Sequence, residues 1–360
     1  MLAHSPSSTS RSGTIGLGPK ETHSPYLPYA SHSELPDLAD TQQPHITVVV
    51  RPRKSRFEGL ANAYSGVSWI LGFKEKYSLA LLIFFGGALI GFCLGRTMMM
   101  SPANVRELTV SGEWFWYRKA VYKPCIFIHI YASIISGIFA VFQFIPAIRR
   151  RAVILHRING YMTLALLIPS TICGSVVARR AFGGDLNVQS AFYTDGILIV
   201  FSAGMGITNV RRTRTHRKWM LRTVAFASVP ITARLTTISA RHIISDIGSY
   251  YAVWRCDQLR YVMTDVDEVS QLYPQCTQPG VNLAKTFVAV HAAVKGNGLE
   301  YGSTVRLTFG MSLWIAIVIH VIGVEIYIRK TESSNQHRRG FVLEKYADDV
   351  DDGESLTGDR

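Results

Sequence analysis

The sequence predicts an all-α polytopic membrane bundle of about six transmembrane helices with disordered polar tails, and three observations carry that prediction. First, six apolar runs each reach the 18 or more residues that a bilayer core demands. Second, the runs are apolar on every side, so neither strand alternation nor a one-faced helical stripe describes them. Third, the charges sit between the runs. Hydrophobic residues make up 48% of the chain, and it is this segregation that excludes an ordinary soluble domain.

The runs are Tyr77 to Leu94, Cys125 to Ile148, Ile158 to Ala178, Phe192 to Val210, Trp219 to about Ser239, and Leu307 to Ile328. Several contain Gly or Pro, among them Gly86, Gly91, Pro169 and Pro230, as suits helices packed in lipid. No cleavable leader pattern is visible, so the first run would serve as an uncleaved anchor. Residues 1–56 are rich in Ser, Pro, Gly and His, and residues 331–360 end in an acidic stretch. Neither buries enough apolar surface to offset its ordering entropy, so both read as disordered tails around a transmembrane domain at 57–330.

The net charge of +13 invites a nucleic-acid partner, and the placement of the charge argues against one. Basic clusters at Arg51 to Arg56, Arg149 to Arg157, Arg211 to Lys218 and Arg329 to Lys330 fall on alternate connections, the positions that share one side of a membrane. The positive-inside rule makes that side the cytosol, with both termini there. The partner implied is the lipid bilayer. Arg179 and Arg180 lie on the wrong side in this scheme.

The connection at 240–306 is long for a structureless loop. Its two cysteines, Cys256 and Cys276, lie outside the cytosol in this topology and read as a disulfide closing the loop. A zinc site lacks the usual ligand spacing. The short apolar stretch Phe287 to Val294 reads as an interfacial helix or lid, and a folded cap is the plainer alternative. Cys93, Cys125 and Cys173 lie within or beside spans and read as packing residues.

Ionisable residues within the spans are the functional candidates, because hydrocarbon does not solvate charge. His129, Asp195 and Arg234 share the outer third of the bilayer on three spans, with His242 at the outer mouth. Asp195 against Arg234 would leave His129 free as acid, base or ligand. Near the cytosolic side, Arg222 and Glu325 read as a structural ion pair, while His156, His216 and Arg222 are also placed to snorkel to headgroups.

Several strings carry a family resemblance. His129, Gly137, Gln143-Phe144-x-Pro146, Arg149-Arg150-Arg151 and His156-Arg157-x-x-Gly160-Tyr161 continue to His216-Arg-Lys-Trp219-Met220-x-Arg222 and Arg234. Together they resemble the predicted membrane proteins grouped as domain of unknown function 2306, over about residues 120 to 240. Trp254-x-Cys256 and Pro274-x-Cys276 resemble its fungal branch. The resemblance implies a multi-helix membrane fold, leaves the reaction open, and adds a contextual association with secondary metabolism.

Four function classes stay open, one of them a non-catalytic membrane scaffold. A membrane-embedded enzyme or accessory protein for a lipophilic intermediate would use His129 and Asp195 for acid–base work and Arg234 to hold an anionic group. A b-type haem oxidoreductase would draw its ligands from His129 with His242 or His291, or from His156, His216 and His320. A small-molecule transporter suits the intramembrane charges, though no inverted repeat is visible.

Overall fold

The computed structural model describes residues 56–73 and 76–338. The chain divides into Met1–Lys54, outside the described residues, and Ser55–Arg360. The polar tail read over 1–56 and the acidic end thus fall almost wholly outside the described residues.

Five described helices are long and apolar enough to cross a membrane: Tyr77–Met100, Tyr122–Gln143, Val153–Ala178, Leu186–Thr208 and Gly298–Glu332. The run expected to be a fifth span is instead two shorter helices, Thr213–Ala227 and Val229–Ile247. Pro230 explains the break, since it lacks an N–H and its ring crowds the preceding turn. Both halves still pack in the bundle, the first against Leu186–Thr208 and the second against the last helix. That last helix runs from Gly298 to Arg338, past the boundary expected at residue 330. A helix at Arg56–Ile70 precedes the first span.

Small residues set the close approaches. A Cβ at Gly137 would lie 2.7 Å from the Cys93 sulfur, and one at Gly86 would lie 3.1 Å from Val141, so the first two spans meet nearly backbone to backbone. The second and third spans form a hairpin through the short helix Pro146–Arg151. Asn159 donates to the Phe139 carbonyl at 2.9 Å and Gln143 to the His156 carbonyl at 3.2 Å, tying that end of the hairpin.

Connections alternate between two ends. One end gathers Arg149 to Arg151, the Arg211 to Lys218 segment and the end of the last helix, where Lys218 pairs with Glu332 at 2.6 Å. The other end carries a folded cap. Strands β1 (Tyr251–Arg255) and β2 (Phe287–His291) pair antiparallel, with Trp254 opposite Val288. Phe287 to His291 is therefore a strand of a folded cap, one of the alternatives read from the sequence, and not an interfacial helix. Its side chains alternate, with Val288 and Val290 inside, and the helical reading missed that period of two. Trp254, Leu259, Val269 and Leu299 complete the cap core. The Cys256–Cys276 disulfide closes it, with Cα atoms 5.3 Å apart.

Candidate functional site

His129 lies two turns inside the cap end of the second span. Its Nδ1 sits 2.9 Å from the Ser170 carbonyl of the third span. A carbonyl only accepts, so Nδ1 carries the proton and Nε2 of the neutral ring keeps its lone pair. Gly174 makes this contact feasible, because a Cβ there would lie 2.9 Å from Nδ1.

Arg234 sits in the Val229–Ile247 helix and donates to the Pro230 carbonyl of its own helix at 2.8 Å. It meets no carboxylate among the described residues. Phe92 lies 5.5 Å from its guanidinium and Phe309 lies 5.9 Å away. Arg96, at the cap end of the first span, stands 5.4 Å from the same Phe92 ring and also has no acidic partner among the described residues. Two guanidinium groups therefore share one aromatic ring, and their like charges act on each other. His129 is also within electrostatic range of Arg234.

Asp195 does not join this group. It is 3% exposed, its Oδ1 has no hydrogen-bond partner, and no ion pair links it to Arg234 among the described residues. The residue after it, Gly196, packs against Thr171 and Ser175 of the third span. The expected Asp195–Arg234 pair is not formed: equal depth on two helices does not give equal facing direction.

Four residues missed by sequence reasoning complete the site. Besides Arg96 they are Glu113 and Tyr117 on the short helix Glu113–Tyr117, and Arg306 near the start of the last helix. Tyr117 donates to Glu113 Oε2 at 2.7 Å, and the Phe182 amide donates to the same oxygen at 2.9 Å. Phe182 reaches that position with φ of 50°, a left-handed conformation uncommon outside glycine. Arg306 donates to the Val253 carbonyl at 3.3 Å and lies 3.3 Å from the centre of the Trp254 ring. Glu113 Oε1 and Arg306 Nε and Nη2 are buried without partners. Burial pushes the Glu113 carboxyl above its ordinary value, against the opposing pull of Arg306, Tyr117 and the Phe182 and Gly183 amides. Burial, then the adjacent Glu113, push the Tyr117 phenol well above its ordinary value. The charges of Glu113, Arg234 and Arg306 all act on Tyr117. A weak signal existed: the Glu113-Trp-Phe-Trp-Tyr117 string is a lone acid among aromatics.

The other candidates are elsewhere. Arg222 and Glu325 form a two-pronged ion pair, Nε to Oε1 at 2.6 Å and Nη2 to Oε2 at 3.0 Å. His156 and His216 are near each other at the basic end, where His216 bonds the Gly206 carbonyl at 2.7 Å. His320 bonds Thr232 at 2.8 Å. His291 bonds the Gly248 carbonyl at 3.0 Å, and His242 is exposed. No group of three or more His, Cys, Asp or Glu placed to hold a metal ion occurs among the described residues.

This architecture is that of an all-α polytopic membrane protein, and comparison with known proteins agrees. Residues 126–256 match the family model described as predicted membrane protein (DUF2306), which bears out the resemblance over that segment. Ava biosynthesis cluster protein G of Aspergillus versicolor is 24% identical over 224 residues, covering 53% of this chain. The match covers 65% of that relative, less than two thirds of its length. No solved structure matches.

Proposed function

We propose that this chain is a membrane-embedded enzyme or accessory protein of a biosynthetic pathway, acting on a lipophilic small molecule with an acidic head group. One observation carries the reading: Arg234, within the bundle, has no carboxylate partner among the described residues and shares the Phe92 ring with a second arginine. An unpaired arginine at the centre of a membrane helix costs about 2.5–3.5 kcal/mol on insertion scales. An arrangement that doubles that charge is suited to binding an anion. Phe92 and Phe309 offer the lipophilic body an aromatic wall. His129 Nε2 supplies the base, within range of the same guanidinium, which stabilises the anion formed when a substrate proton leaves. The likeness to a biosynthesis cluster protein supports the pathway setting. The basic end faces the cytosol in this reading, and a cytosol-restricted reporter fused after residue 360 should give signal.

The test is thermal unfolding of the full chain in neutral detergent. A pentadecylbenzoate should raise the midpoint and pentadecyltrimethylammonium should not. Arg234→Gln should abolish the shift, and His129→Ala should keep it while ending pathway output in cells. Equal shifts from the acid and the ammonium compound would overturn the reading.

A further inference from the structure

The cationic group continues into a second, enclosed polar spot beside it. Glu113 is 1% exposed and Arg306 is 4% exposed, yet Glu113 Oε1 and Arg306 Nε and Nη2 all lack partners. An acceptor and two donors of opposite charge thus sit within electrostatic range of each other without bonding. Few chemical groups satisfy both. A hydroxyl donates its proton to a carboxylate oxygen and accepts from a guanidinium. An ether accepts only and would leave Glu113 unpaired. A carboxylate would face Glu113 repulsion.

The distance to Arg234 is short. Arg306 and Phe309 are three residues apart on one helix, about 4.5 Å along its axis. The Phe309 ring is 5.9 Å from the Arg234 guanidinium and is stacked on Phe182 at 3.8 Å. Tyr117 is bonded to Glu113 and within electrostatic range of both Arg234 and Arg306. The stacked Phe182 and Phe309 rings lie beside the two spots, so a flat ring bearing both groups suits these surroundings better than a flexible chain.

We infer that the ligand is a hydroxylated aromatic acid: Arg234 and Arg96 hold its acid group, and Glu113 with Arg306 reads a ring hydroxyl about one helical turn away. This rests on the anion-binding reading above and deepens it by naming the second recognition element.

The experiment measures equilibrium binding to the full chain in neutral detergent. The ligands are a pentadecylbenzoate, its meta-hydroxy analogue and its meta-methoxy analogue. The meta position keeps the hydroxyl from bonding the acid group of its own ring. The hydroxy compound should bind about ten-fold tighter than the parent, as expected when a site's buried polar groups gain their partner. The methoxy compound should bind no tighter than the parent. Glu113→Gln should reduce the hydroxyl advantage, read as the ratio of hydroxy to parent affinity in that variant. Because that variant bears on folding, the ligand series on the unaltered protein decides. Equal affinity of hydroxy and parent acids, or an equal gain from methoxy, would overturn the inference while leaving the anion site standing. Failure of all three acids to bind would remove the anion-binding reading, and the inference with it.

Discussion

Removing either partner of the Arg222–Glu325 pair should cost more than half of what removing both costs. The guanidinium fork meets the carboxylate through two bonds of 2.6 and 3.0 Å, and Trp219 lies 4.6 Å from the guanidinium. The Arg222 side chain is 19% exposed and that of Glu325 is 39% exposed. Fully exposed pairs contribute about 0.2–1 kcal/mol, and breaking a fully buried pair costs about 3–5 kcal/mol. Partial exposure and two-pronged geometry place each single loss between these, at about 2 kcal/mol. Glu325→Gln and Arg222→Gln should each cost that much, because the remaining charge keeps its place without a counter-ion. The double variant should be better than the sum by about 1–2 kcal/mol. The assay is a double-mutant cycle by dodecyl sulfate titration in mixed micelles. The single–double comparison also separates this pair from Lys218–Glu332, whose 36% and 31% exposures predict less than about 1 kcal/mol of coupling. Additivity within about 0.5 kcal/mol would refute the reasoning.

Other perturbations have equally definite outcomes. Gly174→Ala puts a methyl 2.9 Å from His129 Nδ1, so it should cost about 1–3 kcal/mol and displace the ring, read by thermal unfolding and by loss of pathway output. Glu113 titrates above its ordinary value in the folded chain, so its stability contribution is complete in acid and is lost as pH rises through the raised value. The midpoint of the native chain should therefore fall relative to Glu113→Gln as pH increases from about 4.5 toward neutrality, and a constant gap would show that Glu113 is not the group responsible. Cys256→Ser and Cys276→Ser should each destabilise the cap by about 2–4 kcal/mol and behave alike, whereas free thiols at both positions in non-reduced peptide maps would rule the bridge out.

The spans were legible because an apolar run of bilayer length has few other uses. The broken fifth segment was harder to see: Pro230 is tolerated in membrane helices often enough that its presence alone does not announce a break. The disulfide was readable from topology and cysteine position. The Arg222–Glu325 contact follows from two opposite charges near the same end of the bundle. Arg234 and His129 stood out by depth, which a linear pattern records. Their partners did not, because direction around a helix depends on packing. Asp195 therefore looked like the counter-ion of Arg234, while its side chain meets no partner among the described residues. Glu113 and Tyr117 lie between spans, and Arg306 lies one residue before the apolar run that begins at Leu307. Only the fold, with Phe182 turned into a left-handed conformation, draws them into one group.

Whether a lipophilic acid binds at Arg234 is measured most directly by saturation binding of a radiolabelled pentadecylbenzoate to the purified chain. One site per chain is expected, with affinity falling at least ten-fold in Arg234→Gln and being regained in part in Arg234→Lys, which restores the charge without the fork. Unchanged binding in Arg234→Gln, with the variant folded, would contradict the account.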